Sequence, residues 1–286
     1  MTRKNSTKQR FSTDLMKGQV ALVTGAGTGM GKVTALEMAS CGAKIVIIGR
    51  RLEPLEETVQ QICAEGGEAF CLTCDIRDDQ QIEAVMVSIK ERYGKLDVLV
   101  NNAGGQFVAA AKNISNKGFE AVIRNNLIGS WQMTKAAADH FMFENGGSIV
   151  FVTAVTRGGL GGFAHTAAAR AGVTGLMKTL ASEWGEYGIR LNCVAPGTIR
   201  TEALDKYPIT PEQWKRFNRS VLGRMGVSED VAAAIIFLAS DLGNFVTAED
   251  WYIDGGETVH LAHDARDMID SKLFKSRSRG DGKNSG

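Results

Sequence analysis

A glycine-rich segment near the start of the chain has the residue types that bind a phosphate group. Residues 24–31 (TGAGTGMG) follow a short apolar run and open an amphipathic one, so we expect them at a turn from a strand into a helix. Glycine lets the backbone turn sharply and approach a pyrophosphate, while a helix N-terminus supplies free N–H groups and a partial positive charge. The spacing, T-G-x-x-x-G-x-G, differs from G-x-G-x-x-G, but the strand–loop–helix context predicts phosphate binding.

Two arginines follow the second predicted strand. A dinucleotide site specific for NAD places an acid here, which accepts from the ribose 2′-hydroxyl, whereas arginine suits a 2′-phosphate. This chain has Arg50 and Arg51 and no acid at that point. The pattern therefore predicts NADP(H) as the cofactor. The alternative is that both arginines only cap an exposed strand end.

Further polar residues follow other predicted strands. Asp75 follows the third, 101–104 (NNAG) the fourth, and 196–201 (PGTIRT) the sixth. The carboxyl ends of parallel strands meet at one edge of a sheet, where ligands bind in open α/β folds. We expect all three at that edge, with Asp75 placed to accept a hydrogen bond from an adenine amino group.

Short apolar runs alternate with longer amphipathic runs along the chain. The predicted strands are 20–23, 44–48, 69–74, 98–100, 148–152, 190–194 and 251–253, and the predicted helices are 31–41, 55–64, 81–93, 119–143, 167–187 and 228–239. Apolar strands without alternation are buried on both faces, and alternating strands and helices give a parallel sheet. We predict an α/β fold: a single-domain doubly wound parallel sheet, Rossmann-like, with helices on both faces.

The predicted domain spans 19–263. Residues 1–18 are basic and polar and are predicted to form a mobile arm, and 264–286 are predicted to form a disordered basic tail. The chain has 286 residues and a net charge of +1, which gives no bias toward nucleic acid or an anionic membrane. No apolar run reaches the roughly 18 residues that span a bilayer.

Five scattered cysteines suit a reducing compartment better than a disulfide framework. Cys71 and Cys74 form a C-x-x-C, but they fall in a predicted strand, where their side chains point to opposite faces, so no metal site is expected. The first residues lack an apolar signal core and the last three are not S-K-L. We expect a cytoplasmic protein, with an organellar address left open.

Together, the quoted motifs resemble the short-chain dehydrogenase/reductase superfamily over about residues 18–258. TGAGTGMG, Asp75, NNAG, 126–129 (NLIG) and PGTIRT carry the resemblance. It implies pyrophosphate and ribose contacts from the first loop, adenine contacts after the third strand, and contacts along the cofactor from the later loops. The residues so implied are Gly25, Thr28, Gly29, Met30, Gly31, Asp75, Ile76, Asn102, Ala103, Gly104, Pro196, Gly197, Ile199 and Thr201.

The chain departs from the family at the residues that carry the chemistry. Members that reduce carbonyls have a serine and Tyr-x-x-x-Lys, whereas Ala154, Thr166 and Arg170 stand at those places and only Asn126 of the usual tetrad is retained. A threonine hydroxyl is too weak an acid to protonate an alkoxide, and arginine does not relay protons. An ordinary ketoreductase mechanism is therefore not expected.

Four stretches resemble the enoyl- and dienoyl-CoA reductase branch. They are 101–107 (NNAGGQF) followed by 113–118 (NISNKG), 165–173 (HTAAARAGV), which is similar to peroxisomal trans-2-enoyl-CoA reductases, and 254–257 (DGGE). The resemblance implies NADPH-dependent reduction of an acyl-CoA substrate, a 2-enoyl-CoA or a 2,4-dienoyl-CoA, by a homotetramer assembled through the two long helices. Hydride addition to such a substrate gives an enolate, which needs hydrogen-bond donors rather than a strong acid.

The predicted catalytic residues are Asn126, Thr166, Arg170 and His165. Arg170 would also contact the cofactor and supply fixed positive charge, while His165 is either a catalyst or a helix-end contact.

Gln106, Phe107 and Tyr207 are the predicted substrate contacts. The alternative for the first two is that they only close a loop over the cofactor. Tyr207 lies in a long segment typical of lids and is either a packing residue or a replacement acid. A carbonyl or alcohol oxidoreductase that uses such an acid is the first rival function, and a non-catalytic NADP(H)-binding protein is the second.

Overall fold

The computed structural model describes residues 10–202, 204 and 220–259. Within them, the strands are β1 Val20–Thr24, β2 Lys44–Gly49, β3 Ala69–Thr73, β4 Val98–Asn101, β5 Gly147–Val152, β6 Ile189–Pro196, β7 Ile199–Arg200, β8 Gly226–Val227 and β9 Asp250–Ile253. The α-helices are α1 Gly29–Ser40, α2 Leu52–Ala64, α3 Asp79–Tyr93, α4 Asn116–Ile123, α5 Gly129–Ala137, α6 Phe143–Asn145, α7 Ala164–Trp184 and α8 Ser228–Ala239.

Seven of the described strands form one parallel sheet in the order β3-β2-β1-β4-β5-β6-β9. The strand order reverses between β1 and β4, and a doubly wound sheet binds ligands in the crevice at such a switch point. The short strands β7 and β8 pair with each other beside this sheet. The predicted fold class is confirmed.

Two hydrophobic clusters cover the two faces of the sheet. Successive side chains of β1 alternate between them: Leu22 packs with α3, α5 and α7, whereas Val23 packs with α1, α2 and α8. Period-two alternation of apolar residues into two cores explains why the strands read as continuous apolar runs. The core thereby fixes the strand ends from which the site loops emerge.

The predicted helix 119–143 is a composite in the structure. Helices α4, α5 and α6 are joined by π-helical segments at Arg124–Ile128 and Ala138–Met142. A π segment adds a residue to a helical turn and often marks a functional site. The first of these segments holds Asn126 with its side chain buried.

The described part of the predicted arm packs on the domain. Met16 is fully buried in the α1 side of the core, and its backbone N–H donates to the Cys41 carbonyl at 2.8 Å. Phe11 and Leu15 pack against the same cluster. The expectation of a mobile arm through residue 18 is therefore wrong for residues 11–16, because their apolar side chains cover the core. The predicted tail 264–286 lies outside the described residues.

Candidate active site

The turn after β1 presents the N-terminus of α1 to the edge of the sheet. Gly25 and Gly29 have positive φ values of 66° and 58°, which favour glycine. Thr28 precedes the helix and makes no side-chain capping bond. The N–H groups of the first turn therefore remain available to an anion, as the glycine pattern predicts.

The loop after β4 is fastened to this turn. Thr24 Oγ1 accepts from the backbone N–H groups of Asn102 at 3.0 Å and Ala103 at 2.8 Å, and Asn102 Nδ2 donates to the Thr24 carbonyl at 2.9 Å. A Cβ on Gly31 would lie 2.4 Å from Asn102 Nδ2 and 2.6 Å from the Gly25 oxygen. Gly31 is thus required where the two loops pack. Thr24 itself was not predicted to have a role.

The loop after β6 lies beside the same turn. Thr201 approaches the first turn, since its methyl carbon would lie 3.8 Å from a Cβ on Gly29. Glu257 accepts from the Thr198 N–H at 2.8 Å and from its hydroxyl at 2.9 Å. The same carboxylate would lie 2.6 Å from a Cβ on Gly197. Glu257 therefore holds the loop that contains the predicted contacts Pro196, Gly197, Ile199 and Thr201.

The other end of the crevice is strongly cationic. Arg50 and Arg51 are exposed just after β2. Arg77 donates from Nε to the Asp75 carboxylate at 2.8 Å, and this bond holds the pKa of Asp75 below its usual range. Because Arg77 engages both carboxylate oxygens, the carboxylate is less open to an adenine amino group than we expected.

The side chain of Ile76 packs in the hydrophobic core. It is buried, and its side chain would lie 2.7 Å from a Cβ on Gly129. The glycine of the NLIG motif therefore makes room for Ile76 rather than for a ligand. An adenine contact from Ile76 would have to come from its backbone.

Helix α7 places two of the predicted catalytic side chains one turn apart. It begins at Ala164, three residues before the predicted start, so His165 and Thr166 lie in its first turn. Thr166 and Arg170 are both buried and, by their i, i+4 spacing, share one face of the helix.

The guanidinium of Arg170 is a buried cation with few protein partners. The residue is 8% exposed, and NH1 donates to the Val152 carbonyl at 2.7 Å. NH2 would lie 2.3 Å from a Cβ on Gly104, so the guanidinium packs directly on the loop after β4. Burial lowers the pKa of Arg170 to about 10. At neutral pH it therefore remains charged beside the crevice.

Asn126 fastens the same loop from the opposite side. Its Nδ2 donates to the Gly105 carbonyl and the Val122 carbonyl, each at 2.8 Å, and its Oδ1 accepts from the Gly105 N–H at 3.3 Å. Its polar atoms are thus engaged by the backbone. We infer that Asn126 positions the loop rather than contacting a reacting atom.

His165 and the predicted substrate loop are in contact. His165 is fully buried, and the ring of Phe107 meets its imidazole edge-on with 4.4 Å between centroids. Phe107 and Gln106 are exposed on the loop that follows Gly105. Tyr207 lies outside the described residues.

The described residues contain no cluster of three or more His, Cys, Asp or Glu that could hold a metal ion. All five cysteines are free. In the described part of the chain, no helix is long and apolar enough to cross a membrane.

Comparison with known proteins gives consistent matches across the described fold. A family described as "Enoyl-(Acyl carrier protein) reductase" matches residues 25–258. A probable 2,4-dienoyl-CoA reductase [(2E)-enoyl-CoA-producing] of Bacillus subtilis is 36% identical over 250 residues, covering 86% of this chain and 98% of the relative. A 3-oxoacyl-[acyl-carrier-protein] reductase of Thermotoga maritima is 37% identical, covering 85% of this chain and 99% of the relative.

Among solved structures, a citronellol catabolism dehydrogenase of Pseudomonas aeruginosa is 37% identical, with a TM-score of 0.78. The match covers 87% of this chain and 98% of that structure. The similar proteins thus share the fold but act on different groups, according to their names.

Proposed function

Because this chain belongs to the short-chain dehydrogenase/reductase family and is therefore an oxidoreductase, we propose that it is an NADPH-dependent reductase of an α,β-unsaturated acyl thioester. The substrate is a 2-enoyl-CoA or a 2,4-dienoyl-CoA. The observation that carries this proposal is Arg170, a buried permanent cation, with Thr166 one turn before it. These residues stand where carbonyl-reducing relatives have the lysine and tyrosine that deliver a proton.

The residues at the edge of the sheet fit a nicotinamide dinucleotide. A Cβ at Gly31 would collide with its neighbours. Gly25 and Gly29 adopt positive φ values in the turn beside the free N–H groups of α1. Arg50 and Arg51 are exposed where a 2′-phosphate would bind, which supports NADP(H) over NAD(H). When bound, the cofactor supplies the hydride.

Hydride addition to an unsaturated thioester develops negative charge on the acyl oxygen. That charge is conjugated, so it needs nearby donors and positive charge rather than a proton from a strong acid. The Arg170 guanidinium provides charge that persists across the neutral pH range, because its pKa is about 10. An enolate oxygen is stabilised by nearby charge and hydrogen-bond donors alone, whereas an alkoxide must also receive a proton.

The similarity to a probable dienoyl-CoA reductase supports the thioester substrate. The similarity to a 3-oxoacyl reductase makes the ketone the matched negative control. We also propose a homotetramer, from the family resemblance, and a cytoplasmic location, which agrees with five free cysteines.

The test is a comparison of initial NADPH oxidation rates with trans-2-enoyl-CoA, 2,4-dienoyl-CoA and 3-ketoacyl-CoA of equal chain length. The proposal predicts reduction of at least one unsaturated thioester and little reduction of the ketone. Reduction of the ketone alone would show that another group serves as the acid and would overturn the proposal. Repeating the assay with NADH tests the cofactor preference separately.

A further inference from the structure

The imidazole of His165 has one nitrogen bonded and the other unpartnered. Nδ1 accepts from the backbone N–H of Thr166 at 2.7 Å and lies 3.1 Å from the Thr166 hydroxyl. Nε2 is buried and has no hydrogen-bond partner among the described residues. Buried polar atoms are usually satisfied, so an unsatisfied one calls for an explanation.

The bond at Nδ1 determines the tautomer. A nitrogen that accepts from a backbone N–H carries no hydrogen, so the neutral ring has its hydrogen on Nε2. The Nε2–H is therefore a buried donor without an acceptor among the described residues.

Phe107 forms the cover on this side of the imidazole. Its ring meets the imidazole edge-on, yet the residue is 40% exposed and lies in a loop without regular structure. A displacement of this side chain would open the part of the imidazole that Phe107 contacts. Because His165 is next to Thr166, its imidazole lies at the end of the crevice with the predicted catalytic residues rather than at the predicted adenine end.

We propose that the Nε2–H of His165 hydrogen-bonds the acyl oxygen of the substrate once Phe107 moves aside. This inference rests on the proposed function, in which that oxygen becomes an enolate oxygen. The step needs no proton transfer from His165, so the α-carbon can take its proton from water. The role differs from that of Arg170, which acts through charge alone.

The experiment combines a spectroscopic and a kinetic measurement on the full chain. Side-chain ¹H–¹⁵N spectra, with the His165 signal assigned from its loss in His165→Gln, report which ring nitrogen carries hydrogen. We expect hydrogen on Nε2, and a downfield shift of that proton when hexanoyl-CoA and NADP⁺ are added. His140→Gln serves as the control, because His140 pairs with Glu83 away from the site.

Kinetically, His165→Leu removes the donor, whereas His165→Gln offers an amide N–H at a similar reach. We expect His165→Leu to lower kcat for the unsaturated thioester about 100- to 1000-fold, as for other single oxyanion donors, and His165→Gln to restore most of the loss. The NADPH dissociation constant should be unchanged in both variants. That combination separates a donor role from a packing role.

Any one of three results would overturn the inference. They are hydrogen on Nδ1, an unchanged chemical shift of the Nε2 proton when hexanoyl-CoA is added, and a His165→Leu variant as active as the wild type. If the wild type reduces only the ketone, the proposed function fails. The spectroscopic shift still decides the role of His165, because it reports on the acyl oxygen without turnover. The two failures are thus distinguishable.

Discussion

Replacing Arg170 by methionine is expected to remove activity while leaving the fold nearly as stable. Burial lowers the pKa of Arg170 to about 10, well below the usual range of arginine, which corresponds to about 3 kcal/mol of destabilisation of the charged form. Methionine removes that cost and keeps much of the apolar stem. The variant also loses one charged hydrogen bond and leaves the Val152 carbonyl without that donor. This loss destabilises the fold by about 1–3 kcal/mol.

The difference between these opposing effects is about 0 to 2 kcal/mol, so we expect the free energy of unfolding to change by no more than about 2 kcal/mol. For a chain of this size that moves Tm by no more than about 8 °C. Turnover of the unsaturated thioester should fall about 100- to 1000-fold, since a preorganised positive group is lost. Thermal unfolding by circular dichroism and NADPH oxidation rates measure the two effects on one sample.

Arg190 provides the matched control. It is another partly buried arginine, but its NH1 donates to the carbonyls of Leu238 at 2.7 Å, Gly243 at 2.9 Å and Val246 at 3.3 Å. Arg190→Met would therefore leave three carbonyls without this donor and cost at least about 3 kcal/mol. Two results would refute the expected role of Arg170. One is a decrease in Tm in Arg170→Met as large as that in Arg190→Met, and the other is unchanged turnover in Arg170→Met.

Arg170→Lys extends the same test to pH. The destabilisation from the buried guanidinium is fully present below pH 10 and is relieved only as the pH rises above about 10. The wild-type rate should therefore show no alkaline limb from this residue between pH 6 and 9. A lysine begins from a lower pKa of about 10.4, and comparable burial would place an alkaline limb near pH 8. A Lys variant with a flat profile over that range would contradict the electrostatic role.

The remaining predictions concern the cofactor loops. Replacing both Arg50 and Arg51 by serine should lower kcat/KM for NADPH at least about tenfold and change that for NADH little, since a charge-assisted bond to phosphate is lost; an equal loss for both cofactors would refute it. Gly31→Ala should abolish NADPH binding in fluorescence titrations, because its Cβ would lie 2.4 Å from Asn102 Nδ2; wild-type affinity would show that the loops can separate. Glu257→Leu should weaken NADPH binding more than Glu257→Gln does, because glutamine keeps an acceptor for the loop after β6; equal affinities would exclude a positioning role.

The central strands β1, β2, β4, β5 and β6 could be predicted closely because they are largely apolar runs buried on both faces. The start of α7 could not, since Phe163 before it provides no side-chain cap and the preceding glycines carry no helical pattern. That error of three residues matters, because it hid the first-turn position of His165 and hence its bond to Thr166. The π-helical segments leave no periodic signal and were also missed.

The loops of the site could be predicted from topology, because the carboxyl ends of parallel strands share an edge. Their side-chain partners could not, since they join residues far apart in the chain. Asn126 engages Gly105 instead of facing a substrate, and Arg77 occupies the carboxylate of Asp75. Contacts of this kind depend on packing that no local pattern encodes.

The most direct test of the central claim is a competition in one tube. Equimolar trans-2-enoyl-CoA and 3-ketoacyl-CoA of the same chain length are incubated with limiting NADPH, and the products are separated by mass spectrometry. The ratio of products gives the ratio of the two kcat/KM values. We expect saturated acyl-CoA as the dominant product, and the same experiment with a 2,4-dienoyl-CoA identifies the double bond reduced. Accumulation of 3-hydroxyacyl-CoA in its place would contradict the proposed function.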